Sequence, residues 1–185
     1  MNNSLFSDLV HQRRSIRRYA DKPVELDKIR ACIEAARVAP SAENVEPWRF
    51  IVLNDPAIKQ PFCDAAFSGV YKFTQWASKA PVIIVVLAKL DILANRIGKQ
   101  IQGTNYYLID IGIAGEHFVL QAAELGLGTC WIGWFNSKKA RKFLKIPASY
   151  KVVSLISMGY PDRQPQNEKK RLQLNDILWM NGFQK

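Results

Sequence analysis

Six consecutive apolar, mostly β-branched residues, Val82-Ile83-Ile84-Val85-Val86-Leu87, constrain this chain more than any other feature. A half-buried strand alternates polar and apolar positions; a run with no polar position must be covered on both faces. The wider apolar stretch, Pro81 to Ala88, falls far short of the ~20 residues that cross a bilayer. It therefore predicts a central strand in a sheet with helices packed on either side. Neighbouring segments supply the partners. Trp48–Leu53 predicts a second strand, closed by Asn54 and Asp55, and Pro56 suits the first turn of a following helix. Leu26, Ile29, Ile33 and Ala36 have helical spacing, so a helix is expected over Glu25–Val38, ended by Pro40. Ser4–Gln12 predicts an opening helix with Leu5, Phe6 and Leu9 on one face.

A longer helix is expected over Tyr106–Leu125, with Leu108, Ile111, Gly115, Phe118, Ala122 and Leu125 as a wide apolar stripe. Gly126 stops it. Thr129–Ile132 and Val152–Met158 read as further strands, and Asn136 or Ser137 caps a helix over Lys138–Leu144. Helices and strands thus alternate in an α/β or α+β domain, a mixed sheet layered by helices. At 185 residues the chain fits one domain and can bury a core without disulfides. Its three cysteines, Cys32, Cys63 and Cys130, form no C-x-x-C pair, and His11 and His117 lack ligand spacing, so no metal site is expected. The first residues lack the order of a signal peptide, and a soluble, intracellular (cytoplasmic) protein with no membrane contact is expected.

The net charge is +10, concentrated at Arg13-Arg14-x-x-Arg17-Arg18, at Lys138–Lys142 and at Lys169-Lys170-Arg171. Such an excess suits an anionic partner, although the Lys138–Lys142 cluster reads equally as a solvated helix face. Nucleic acid is not expected, since no recognition helix, RNP-like aromatic pair or zinc motif is present. Beyond Gly159 the composition turns polar and Pro-rich. Leu172, Leu174, Ile177, Leu178, Trp179 and Phe183 then form an apolar tail that has to dock, either on its own domain or on a partner.

Three segments carry chemistry. Arg13-Arg14-Ser15-Ile16-Arg17 offers three guanidiniums and a hydroxyl, a good cradle for phosphate oxygens. Ala39-Pro40-Ser41-Ala42-Glu43-Asn44-Val45-Glu46-Pro47-Trp48 is an irregular loop between helix and strand, where binding groups commonly sit. Asn44 could match a heterocycle edge; Trp48 reads either as a stacking platform or as core. In Gly126-Leu127-Gly128-Thr129-Cys130-Trp131-Ile132-Gly133-Trp134, Gly133 leaves its backbone open to a planar ligand.

RRSIR, then APSAENVEPW about 25 residues later, then a long helix leading into GLGTCWIG, resembles the flavin-dependent nitroreductase family. The resemblance runs from about Phe6 to Met158 and more weakly into the tail. It implies an α+β fold of residues 1–159, with 160–185 as a C-terminal extension clasping the partner of a homodimer. It implies non-covalent FMN as cofactor and NADH or NADPH as hydride donor. Arg13 and Ser15 would hold the phosphate and ribityl chain, with Arg14 beside them, and Arg17 would face the N1/O2 edge of the flavin. Pro40, Ser41 and Ala42 would touch the flavin held mainly by the other subunit, supported by Asn44. Ile132, Gly133 and Trp134 would face its N5/O4 side, and Lys169 and Arg171 would close over the phosphate.

Two departures stand out: Glu46 occupies a place where members commonly carry Gln, and Lys89–Asn105 is short and matches no motif. No protein acid or nucleophile is expected to be catalytic, since the chemistry belongs to the flavin. The expected activity is ping-pong reduction of nitroaromatics, quinones or similar small electron acceptors. Reductive dehalogenation, flavin reduction, flavin fragmentation or a flavin-binding module without turnover are the alternatives on the same scaffold.

Overall fold

The structure is a computed structural model and describes residues 5–90, 103–163 and 169–183. Ser4 and most of Lys89–Asn105 lie outside the described residues. Four strands, β1 (Trp48–Leu53), β2 (Val82–Lys89), β3 (Gly128–Ile132) and β4 (Tyr150–Gly159), form one sheet in the order β1-β2-β4-β3. All these pairings are antiparallel. The parallel component of the expected mixed sheet shrinks, among the described residues, to a single bridge between Ser15 and Thr129.

The helices are α1 (Leu5–Gln12), α2 (Leu26–Arg37), α3 (Pro56–Ala66), α4 (Tyr106–Glu124) and α5 (Ser137–Phe143). Strand β2 divides its side chains between two cores, as its unbroken apolar run demands. Val82, Ile84, Val86 and Ala88 join α2 and α4 on one face through Ile29, Cys32, Ile111 and Phe118. Ile83, Val85 and Leu87 join α3 and α5 on the other through Phe62, Cys63 and Ala140. Each such aliphatic side chain contributes about 1.5–3 kcal/mol by leaving water. Trp48 belongs to the first core, which decides its two readings for packing.

Local chemistry sets the element ends. Asp55 accepts a hydrogen bond from Ala57 N at 2.9 Å and Pro56 opens α3. Asn136 accepts from Lys139 N at 3.0 Å and caps α5. Helix α4 gives way to Gly126 at φ 75°, and Trp131 lies so close to Gly115 that a Cβ there would sit 2.1 Å from the ring.

The stretch Gly69–Lys79, not anticipated from sequence, is 3₁₀ helix. Its buried residues, Thr74 and Ala77, are three apart, the 3₁₀ repeat rather than the α-helical one.

Two apolar surfaces stay exposed in the single chain. Helix α1 has no buried residue, with Leu5 91 % and Phe6 65 % exposed. The tail does not dock on its own domain: Leu172, Leu174, Ile177, Leu178, Trp179 and Phe183 are all exposed in the single chain. The three cysteines are free and buried. No metal-binding cluster occurs among the described residues, and no described helix is long and apolar enough to cross a membrane.

Candidate functional site

The chain leaves α1 and runs along the edge of β3. Ile16 N donates to Thr129 O at 2.8 Å, beside the Ser15–Thr129 bridge. Ile16 turns inward onto Gly128, where a Cβ would stand 2.5 Å from it. Tyr19 locks this segment from below: its hydroxyl donates to Ile16 O at 2.7 Å and lies 2.7 Å from Ser157 Oγ on β4. Burial raises the Tyr19 phenol well above its ordinary value, so it stays neutral.

Because side chains alternate along an extended backbone, fixing Ile16 inward puts Arg13, Ser15 and Arg17 on one side. The Cys130 thiol registers the same convergence. Burial pushes it up, while Arg17, Ser15 and Arg13 pull it back. Arg17 lies with its guanidinium 5.8 Å from the centre of the Trp76 ring.

A second set of cations arrives from the far end of the chain. Lys169 Nζ donates to Val10 O at 3.2 Å and His11 O at 2.9 Å, carbonyls at the end of α1. Burial holds its ammonium below the usual lysine value, and Arg13, Arg14 and Arg171 lower it further, with Glu116 opposing. Four cations therefore share one neighbourhood. The only carboxylate in an ion pair with them, among the described residues, is half-exposed Glu116, 3.6 Å from Arg13 Nε. Val10, His11, Arg14, Lys169 and Arg171 line a cleft of about 550 Å³ here, and Arg13, Arg14 and Thr129 line a neighbouring one of about 340 Å³. Four like charges against one half-exposed carboxylate favour an anion, and a phosphate dianion fits them in charge and donor number.

The other expected segments lie elsewhere on the framework. Ile132 is buried, while Gly133 faces open space, with no atom within 4 Å of where a Cβ would be. Thr74 Oγ1 donates to Trp134 O at 2.7 Å and Trp134 Nε1 donates to Val70 O at 3.2 Å. The 3₁₀ segment thus holds the Gly133 turn in place, and the backbone there is open to a flat ligand.

The loop of Pro40, Ser41, Ala42 and Asn44 is fastened to α4, where Ala42 N donates to Asp110 Oδ1 at 3.0 Å. Glu43, Asn44 and Glu46 take left-handed backbone angles, φ 52°, 54° and 45°. For residues with a Cβ this costs about 1–2 kcal/mol each, least for Asn. Strain of this kind persists only where the surroundings hold it, and it concentrates at functional sites.

Within one chain, loop and cations do not share an anchor. Asp110 and Glu116 are six residues apart on α4, about 9 Å along the axis at 1.5 Å per residue and on different faces. Asp110 was not foreseen as a site residue. Its signal was an acid at stripe spacing with Tyr107, Ile111 and Ala114, all buried.

The Nitroreductase family model matches residues 10–160. An NADH dehydrogenase of Thermus thermophilus is 30 % identical, the match covering 91 % of this chain and 92 % of that one. Iodotyrosine deiodinase 1 of Sus scrofa is 28 % identical over 86 % of this chain and 62 % of its own length. Among solved structures, an FMN-dependent nitroreductase from Clostridium difficile superimposes with a TM-score of 0.71 at 32 % identity, covering 95 % of this chain and 98 % of that one. The α+β fold, the ordered motifs and these matches agree: the chain belongs to the nitroreductase family.

Proposed function

We propose that the chain binds FMN non-covalently and, as a homodimer, transfers electrons from NADH or NADPH to small acceptors such as nitroaromatics and quinones. The observation that carries this reading is the convergence of Arg13, Arg14, Lys169 and Arg171 around the end of α1 with one half-exposed carboxylate among them. Flavin, when bound, supplies hydride acceptance and donation.

The protein's own residues bind, orient and set the field. The four cations and Ser15 hold the phosphate and ribityl chain. Arg17, placed beside the Trp76 ring, offers a fixed positive charge to the N1/O2 edge, which favours the reduced cofactor where water is excluded. The open backbone at Gly133, with Ile132 and Trp134 beside it, accepts the N5/O4 side. The Pro40–Asn44 loop completes the site of a second copy. Exposed Leu5 and Phe6 and the apolar tail supply surface for that association.

The visible spectrum of the purified protein, before and after each nicotinamide is added without oxygen, tests this directly. Flavin bands bleached by at least one nicotinamide are expected. A colourless protein that cannot be reconstituted with FMN contradicts the reading. A yellow protein bleached by neither favours the module without turnover. Steady-state rates should show parallel, ping-pong double-reciprocal lines. The likeness to iodotyrosine deiodinase 1 supports a second reading, reductive dehalogenation. Turnover of halogenated phenols in preference to nitroaromatics would favour it.

A further inference from the structure

Asp110 belongs to neither the cation cluster nor the Gly133 turn. It lies on the buried stripe of α4 and is 2 % exposed. Oδ1 accepts the Ala42 N–H, while Oδ2 is buried without a hydrogen-bond partner. None of the ion pairs among the described residues includes it. Burial pushes its carboxyl up and the Ala42 N–H pulls it down. An aliphatic residue would fill this place on the stripe at lower cost, so the acid's use lies in what it holds.

What it holds is the start of the left-handed turn. The turn's next hydrogen bonds are internal: Asn44 N to Ser41 O, Val45 N to Ala42 O, and Glu46 N to Ser41 Oγ. They shape the turn but do not fasten it to the body. Its far end is tied to β1, where Arg49 Nη1 donates to Glu46 O at 2.9 Å, and its start is tied to α4 by the Ala42–Asp110 bond. Released, residues 43, 44 and 46 could relax out of the left-handed region, and Pro40–Ala42 would lose its placement.

The geometry points to Asp110 as a positioning residue, a clamp from α4 that presets the strained Pro40–Asn44 loop to complete the flavin site of a second copy. This rests on the FMN reading above. The orphan Oδ2 keeps the carboxylate dependent on its one donor, so clamp and loop stand or fall together.

FMN titrations of flavin-free protein, followed by flavin fluorescence quenching and by visible circular dichroism of the bound ring, test the clamp in five proteins. These are wild type, D110A, D110N, A42P and D110A/A42P. Pro at 42 deletes the same N–H from the exposed side, and Ser41 at φ −141°, ψ 158° already has the extended form a residue before Pro prefers.

D110A and A42P should each weaken FMN binding roughly tenfold or more, the range for losing a hydrogen bond to a charged group. Both should alter the ring's dichroism. D110N, which keeps an acceptor oxygen, should lie nearer wild type. The double variant should bind no more weakly than the weaker single one, because both remove one bond.

Wild-type affinity and dichroism in folded D110A, or additive losses in the double variant, overturn the clamp while FMN binding itself stands. If D110A does not fold, A42P decides alone, and tight FMN binding with an unchanged dichroism there is the overturning result. Failure of the wild type to bind FMN overturns the functional reading and the clamp together.

Discussion

Strand β2 and the C-terminal tail are both rich in large apolar residues, and the structure treats them in opposite ways. Every β2 side chain from Val82 to Ala88 is buried between two helical layers, while Leu172, Leu174, Ile177, Leu178 and Phe183 stand in water and Trp179 is 42 % exposed. The strand meets all its requirements within the chain. Among the described residues, the hydrogen bonds that tie the tail to the body come at its start, from Lys169 to the end of α1. Similar composition therefore has two outcomes: the strand is buried in the fold, and the tail keeps its apolar surface exposed in the single chain. The same contrast holds for charge and strain. The cations around Lys169, the left-handed residues 43, 44 and 46 and the exposed Leu5 and Phe6 lie outside the sheet core, at the places proposed for cofactor and second copy.

Truncation on either side should separate the two regions. Ile84→Ala should cost about 2–5 kcal/mol in urea unfolding, because it opens a cavity in a site that cannot collapse. A change within 1 kcal/mol would mean that β2 is not the keystone its burial implies.

Lys169→Met comes next. It should leave urea stability little changed and weaken FMN binding roughly ten- to a hundredfold, the range for a charge-assisted bond. Equal affinity would remove Lys169 from the phosphate site. The same residue predicts a pH effect. Burial and its arginine neighbours hold the ammonium below 10.5, so FMN affinity should fall as pH rises through that lowered value, earlier than an ordinary lysine allows. For the unliganded fold the sign reverses. The unfolded lysine keeps its proton longer, so this group's contribution to stability rises with pH up to about 10.5.

Trp179→Ala should have the smallest effect, within ~0.5 kcal/mol when the protein is dilute enough to be monomeric. The effect should grow with protein concentration if the tail meets a second copy. A large, concentration-independent loss would place the tail in the chain's own core.

What the sequence made legible follows the same division. The unbroken β2 run announced a strand covered on both faces, and Asp55-Pro56, Asn136 and Gly126 announced helix ends. Patterning and caps are local, so they survive without the structure. The Arg13–Arg17 and Gly126–Gly133 motifs were legible as segments. The meeting of Arg13 and Arg14 with Lys169 and Arg171 was legible only through the family resemblance, since no local pattern encodes a contact across some 158 positions of chain.

The 3₁₀ stretch was missed because its three-residue repeat matches neither the helical nor the strand period. Asp110 was passed over as one polar residue in an apolar helix; only its geometry with Ala42 gives it a role. The expected apolar face of α1 exists, but among the described residues only its Leu9 end is half-covered, while Leu5 and Phe6 stay exposed.

In the proposed site, Arg13, Arg14, Lys169 and Arg171 hold the FMN phosphate. Parallel titrations with FMN and with riboflavin, which lacks the phosphate, at low and high salt, measure that contribution alone. FMN should bind on the order of a hundredfold tighter or more, from at least two charge-assisted bonds, with the gap narrowing as salt rises. Riboflavin binding as tightly as FMN, at any salt, would contradict it.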